Sequence, residues 1–177
     1  ITNMDDLQNI YVKSQITKKV KLFIWELQDN LKEILEYKIK KNIEGKCIIQ
    51  GYVKKNSVQA LQYTNGELIK EFVHFNVIVE CDICNPCEGM IIETVVRNIT
   101  KAGIRCELND KYSNPIVVFI NREFTINLEE LNKLNIDDII LVKVIGQRYE
   151  LNDEYISVIA ELHEKKKEKR ERKSILK

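Results

Sequence analysis

The chain has 177 residues, is 44% hydrophobic and carries a formal charge of +1, enough apolar content to bury one mid-sized core or two small ones. Its longest uncharged apolar runs, such as Ile139-Ile140-Leu141-Val142, fall far short of the roughly 20 residues that a membrane-spanning helix requires. The charge is unevenly placed: eight Lys/Arg against three Glu in the last fifteen residues leave the remaining body net acidic. That distribution excludes a protein coating nucleic acid with its whole surface and confines any phosphate contact to local groups.

Ile1-Thr2-Asn3-Met4 lacks the basic stretch and apolar core of a signal peptide, so the expected location is intracellular. From Asn9 to Lys21, the residues Ile10, Val12, Ile16 and Val20 recur at even spacing, the period of a half-buried strand. At Ile24 the period changes. Ile24, Leu27, Leu31, Ile34, Leu35 and Ile39 lie three or four apart and predict one helix from Ile24 to just before Gly45. Three strand-like runs follow, Cys47–Lys54, Val58–Tyr63 and Val73–Cys84, with Asn65-Gly66 read as a tight turn. Asn85-Pro86 interrupts the pattern, because proline cannot continue a sheet ladder and restricts the residue before it.

Beyond the break come five β-rich runs, Gly89–Ile99, Gly103–Leu108, Ile116–Ile120, Ile139–Gln147 and Tyr155–Leu162, with a Leu-bearing polar stretch at Asn127–Asn135. Five strands with a helical insertion after the third is the order of an OB-fold barrel. The predicted class is therefore α+β: a β-α-β-β-β domain over 1–85, a five-stranded barrel over 86–163, and a basic tail over 164–177 that reads as a helical extension or a disordered arm.

Chemistry-bearing motifs are few. Cys81-x-x-Cys84-x-x-Cys87 has a spacing that can grip zinc or an iron–sulfur cluster, but a fourth ligand is missing nearby, and Cys47, Cys106 or His74 would have to come through the fold. Burial in a core is the better reading of these thiols, and no metal or other cofactor is expected. Asp137-Asp138 reads as a solvated turn. With only His74 and His163, no nucleophile elbow and six scattered glycines, no catalytic residue is assigned. Single strands usually cross the second and third strands of an OB barrel, where rings stack on bases and basic groups meet phosphates. Candidates there are Lys101, Arg105, Phe119 and Arg122, with Arg148 at the end of the fourth strand.

Taken together, residues 7 to 163 resemble the stalk subunits of archaeal, eukaryotic and large-DNA-virus RNA polymerases, the family of the seventh subunit of RNA polymerase II and the archaeal E subunit. Glu44-Gly45-Lys46-Cys47 and Gly51-Tyr52-Val53 look like the family's Glu-Gly-x-Cys and Gly-[Tyr/Phe]-[Val/Ile] signature. Asn85-Pro86-Cys87-Glu88-Gly89 with the strand after it looks like the interdomain Arg-Pro-Phe-Lys-Gly run, with Cys84 and Cys87 in the places of phenylalanines. Lys101-Ala102-Gly103-Ile104, Val118-Phe119-Ile120-Asn121-Arg122 and Lys143-Val144-Ile145-Gly146-Gln147-Arg148 are similar to three barrel segments. Arg105 departs from the family, which often has Phe there.

The resemblance implies a non-catalytic tip domain followed by the barrel, docked on the large polymerase core subunits through Gly45, Lys46, Cys47, Gly51 and Tyr52. It also implies a small helical stalk partner subunit and contact with emerging single-stranded RNA. The expected location is the viral factory or virion for a viral member, or else the nucleus. Bulky residues at Gly45 or Gly51 are then expected to weaken docking while leaving the isolated chain folded. The alternative is a free-standing OB-fold RNA-binding factor with no polymerase attached.

Overall fold

A computed structural model describes residues 10–108, 114–122 and 128–165. The chain is mixed α+β and mostly strand, with an N-terminal sheet carrying one long helix and a closed five-stranded barrel after it.

β1 (Tyr11–Phe23) and β6 (Phe72–Cys84) pair antiparallel over all thirteen residues, from Tyr11 opposite Cys84 to Phe23 opposite Phe72, without a register shift. β2 (Cys47–Ile48), β3 (Gly51–Val53), β4 (Gln59–Tyr63) and β5 (Glu67–Ile69) complete this sheet, the last three lying on the other side of β6. α1 (Leu31–Ile43) covers one face. It buries Leu35, Ile39 and Ile43 against Ile16, Val20, Leu22, Val77 and Val79, each such side chain contributing about 1.5–3 kcal/mol.

The predicted helix start is corrected. Ile24–Glu26 is a single 3-10 turn, and Ile24 and Leu27 are exposed rather than part of the helical stripe. Glu26 fixes this turn: its carboxylate accepts from the Phe23 N–H at 2.9 Å and from Lys38 Nζ at 2.8 Å. α1 begins only after Asn30, whose carbonyl accepts the first helical N–H groups. The predicted strand Cys47–Lys54 is in fact a hairpin, β2 and β3: the chain reverses at Ile49-Gln50, and Gly51 enters β3 at φ +133, which glycine tolerates. Asn65-Gly66 lies in the passage between β4 and β5, and the tight turn is at Lys70, φ 56, between β5 and β6.

The barrel strands are β7 (Ile91–Ile99), β8 (Gly103–Leu108), β9 (Ile116–Asn121), β10 (Ile139–Arg148) and β11 (Ile156–Lys165). They close in the order β7-β8-β9-β11-β10, with β9 and β11 parallel and all other pairs antiparallel, an arrangement consistent with an OB-fold. Inward residues Ile104, Ile116, Ile120, Ile140, Val142 and Ile156 fill the interior, and α2 (Leu128–Leu131) adds Leu131 to the same core. Glu164 and Lys165, predicted to open the tail, continue β11 opposite Leu141 and Ile140. The remainder of the tail lies outside the described residues.

Candidate RNA face and docking surfaces

The barrel wall gathers four of the five sequence-selected residues at one corner. Arg105 on β8 stands opposite Phe119 on β9. Phe119 points outward and is 37% exposed. Gly103 explains how its ring is held: a Cβ there would meet the Ile120 carbonyl and lie 2.7 Å from Phe119 Cζ, so only glycine lets the ring lie over the start of β8. Lys101 sits in the turn that the Thr100 hydroxyl closes by donating to the Gly103 carbonyl at 2.8 Å. Arg122 joins it, its backbone N–H donating to the Ala102 carbonyl at 3.3 Å.

Arg148 is apart from this corner, highly exposed at the end of β10 and 3.6 Å from Glu150. Through Ser157 it shares the outward row of Val117, one rung from Phe119. Between them lies a residue that sequence reasoning missed: Ile159 on β11, in register with Phe119 and 53% exposed. Its place in the alternation, outward between inward Val158 and Ala160, was the available signal.

The wall is not uniformly basic. Glu107 accepts from Arg105 at 3.2 Å and lies 3.8 Å from Arg97, which in turn holds Asp137 at 2.7 Å. Asp137 and Asp138 thus form a turn. Asp137 takes φ 69 and Asp138 accepts the Asn135 N–H at 2.8 Å. Such exposed pairs contribute little to stability, but they reduce the positive field on offer to a phosphate.

The cysteines separate into three environments. Cys81 belongs to the N-terminal core and Cys84 to the core shared with the barrel, but the expected burial of Cys87 is corrected: it is exposed on the connection that follows β6. Burial pushes the Cys81 thiol up to about 11 and the Cys84 thiol up to about 12, away from the thiolate a metal would need. Among the described residues no group of three or more His, Cys, Asp or Glu is placed to hold a metal ion.

The loop selected for docking is not free. Cys47 is 1% exposed and exchanges two hydrogen bonds with the β10–β11 connection, its N–H to the Asp153 carbonyl at 2.8 Å and its carbonyl from the Asn152 N–H at 2.9 Å. Tyr52 is buried in the same shared core, and the Tyr149 hydroxyl donates to the Ile49 carbonyl at 3.1 Å. Gly51 is pinned as well, since a Cβ would collide with the Cys84 carbonyl. Cys47 and Tyr52 are therefore a brace between sheet and barrel, Gly51 seats their hairpin against the end of β6, Gly45 and Lys46 are half-buried beside it, and only Ile49 and Gln50 stand out at the hairpin turn.

The large exposed apolar surface of the N-terminal sheet is at its opposite end. The Trp25 ring is 70% exposed and stacks on Phe23 at 4.3 Å, Phe23 packs on Phe72 at 4.4 Å, and Ile24, Leu68 and Ile69 are exposed around them. Lys21 lies over the Phe72 ring at 5.1 Å. A cluster of this kind left in water marks an interaction site more often than a lone exposed residue does.

Comparison with known proteins bears on both regions. The chain is 23% identical over 171 residues to a protein named as a DNA-directed RNA polymerase subunit from Acanthamoeba polyphaga mimivirus, covering 88% of this chain and 83% of that one. It is 31% identical over 97 residues to DNA-directed RNA polymerase II subunit 7 of Arabidopsis thaliana, covering 52% of this chain and 51% of the plant protein. The chain is a relative of RNA polymerase subunits. No family model matches the sequence. No helix among the described residues of this polymerase-subunit relative is long and apolar enough to cross a membrane.

Proposed function

We propose that the chain is a non-catalytic stalk subunit of a DNA-directed RNA polymerase, docked on the large core subunits through its N-terminal sheet and contacting emerging RNA with its barrel. The observation that carries the reading is the combination of polymerase-subunit relatives with a two-part molecule whose exposed apolar end and basic-aromatic corner lie on different parts of the fold. Burial of Cys47 and Tyr52 moves the proposed dock away from Gly45, Lys46, Cys47, Gly51 and Tyr52. The dock proposed here is the Phe23–Trp25–Phe72 end with Ile24, Leu68 and Ile69, while Cys47 is tied to the β10–β11 connection.

Lys101 and Arg105 beside the Phe119 ring give a few phosphate contacts and one stacking surface, with Arg122 half-buried and its Nε shut away from solvent. Affinity for a free single strand is then modest and its salt dependence shallow. A transcript still attached to its polymerase is held at high effective concentration, so modest affinity suffices to direct its path. The experiment is affinity purification of the full chain from cells in which it is made. Recovery of the two large polymerase subunits, lost on Trp25→Ala/Ile24→Ala, supports the proposal. Recovery of other RNA-bound complexes without those subunits overturns it.

A further inference from the structure

Among the described residues β1 is an edge strand from Lys13 to Phe23, and the directions of its backbone groups follow from its partner. On β6, the Asn76 carbonyl accepts from the Thr64 N–H at 3.0 Å and the Asn76 N–H donates to the Thr64 hydroxyl at 3.1 Å. Asp82 does the same on that side, accepting from the Lys54 N–H at 2.9 Å and donating to the Ser57 hydroxyl at 3.2 Å. Even-numbered β6 residues therefore turn their backbone away from β1, and odd-numbered ones turn theirs toward it. The unbroken register sets Ser14, Ile16, Lys18 and Val20 opposite Cys81, Val79, Val77 and Phe75. These even-numbered β1 residues complete the ladder. Lys13, Gln15, Thr17, Lys19 and Lys21 consequently point both N–H and C=O at the open edge. Phe23 follows the same rule, and its outward N–H is the one that Glu26 caps. Among the described residues no backbone hydrogen bond reaches Lys13 to Lys21 from that side.

We infer that this edge, about 27 Å from Lys13 to Lys21 at strand rise, is a binding site for an extended acidic segment of another polypeptide, which adds to the sheet as a further strand. Three features select that occupant. The edge is long, in unbroken register and free of the proline or bulge that commonly blunts exposed strands. Its outward residues are exposed, and β1 carries Lys13, Lys18, Lys19 and Lys21 with no acid. A second copy is rejected on the same ground: antiparallel pairing centred on Thr17 sets Lys13 of one copy against Lys21 of the other, and no register opposes a lysine with a carboxylate. An acidic strand instead meets a lysine at each end of the edge, and main-chain hydrogen bonds supply the rest. Glu26 limits the site at its far end.

The test needs no polymerase and so stands or falls separately from the docking proposal. Amide hydrogen exchange is followed in the full chain, alone and with millimolar capped nine-residue peptide of alternating Glu and Val, with the Lys/Val counterpart as control. Exchange at Gln15, Thr17 and Lys19 is expected to be fast in the chain alone and to slow about tenfold with the Glu peptide only. Thr17→Pro, which removes an outward N–H without removing a β1–β6 hydrogen bond, should abolish the protection. Lys13→Glu/Lys21→Glu should transfer it to the Lys peptide, a reversal that loss of folding cannot produce. Edge amides already protected in the chain alone, no protection at millimolar peptide, or equal protection by both peptides overturns the inference.

Discussion

The N-terminal sheet and the barrel solve the same problem in opposite ways. Each buries one face of its strands, but the barrel closes on itself and satisfies every neighbour relation around its wall, whereas the sheet stops at β1 and at an uncovered aromatic end. The barrel therefore offers a partner only side chains on a rigid wall. The sheet offers backbone, apolar area and lysines. Closure suits brief contact with a moving strand, and an open sheet suits a lasting protein contact, because main-chain hydrogen bonds and buried apolar area release slowly.

The sharpest way to break this comparison is at the brace that joins the two regions. Gly51→Leu forces a side chain into the Cys84 carbonyl at φ +133, and we expect a loss of about 3 kcal/mol or more by urea unfolding. This reverses the sequence-based expectation that a bulky residue at Gly51 leaves the isolated chain folded. Equal midpoints for wild type and Gly51→Leu would show that the brace is dispensable. Next in size is the aromatic end. Trp25→Ala/Ile24→Ala removes exposed surface, so the isolated chain should keep its stability within about 1 kcal/mol, while recovery of the large polymerase subunits falls at least about tenfold, since exposed aromatics dominate such contacts.

A smaller effect is expected on the barrel. Arg105→Glu/Arg122→Glu should weaken binding of single-stranded RNA by about an order of magnitude and flatten its salt slope by one to two phosphates, roughly. A chain ending at His163 serves as the comparison, read by fluorescence anisotropy across salt concentrations. If that truncation alone abolishes binding and the double variant is unaffected, the wall around Phe119 is not the RNA site. The least change is expected at Glu36 on α1. Burial raises its pKa, but the Lys40 ammonium at 2.6 Å and the Ala60 N–H at 2.8 Å outweigh burial and hold it below 4.5. Its folded value is depressed, so the stabilisation is present above the unfolded pKa and is lost as pH falls through the folded one. Glu36→Gln should cost little at neutral pH and flatten the stability curve below about pH 4.5. An unchanged acid limb in denaturation profiles would contradict this.

Barrel strands were legible because alternation survives wherever one face of a strand is buried, as in Ile116, Val118 and Ile120 against outward Phe119. The helix start was misread because Ile24 and Leu27 extend the three-four spacing by coincidence, while the carboxylate of Glu26 closes a separate turn through Phe23 and Lys38. Four of the five RNA-face candidates meet at one corner because strand pairing brings β8, β9 and the β7–β8 turn together.

The sequence alone determined most of the strand segments and that five of them order as a barrel, since these follow from local periodicity, while the short β5 (Glu67–Ile69) and the division of Cys47–Lys54 into two strands leave no such pattern. Tertiary structure decided how the Glu44–Cys47 segment is held. Glu44-Gly45-Lys46-Cys47 looks like an exposed loop in one dimension, but Asn152 and Asp153, a hundred residues later, take up the backbone groups of Cys47, and Phe72 returns beside Phe23 to build the exposed end. Pairings across such separations leave no local pattern, because each partner is free to be any residue that fits once the chain has folded.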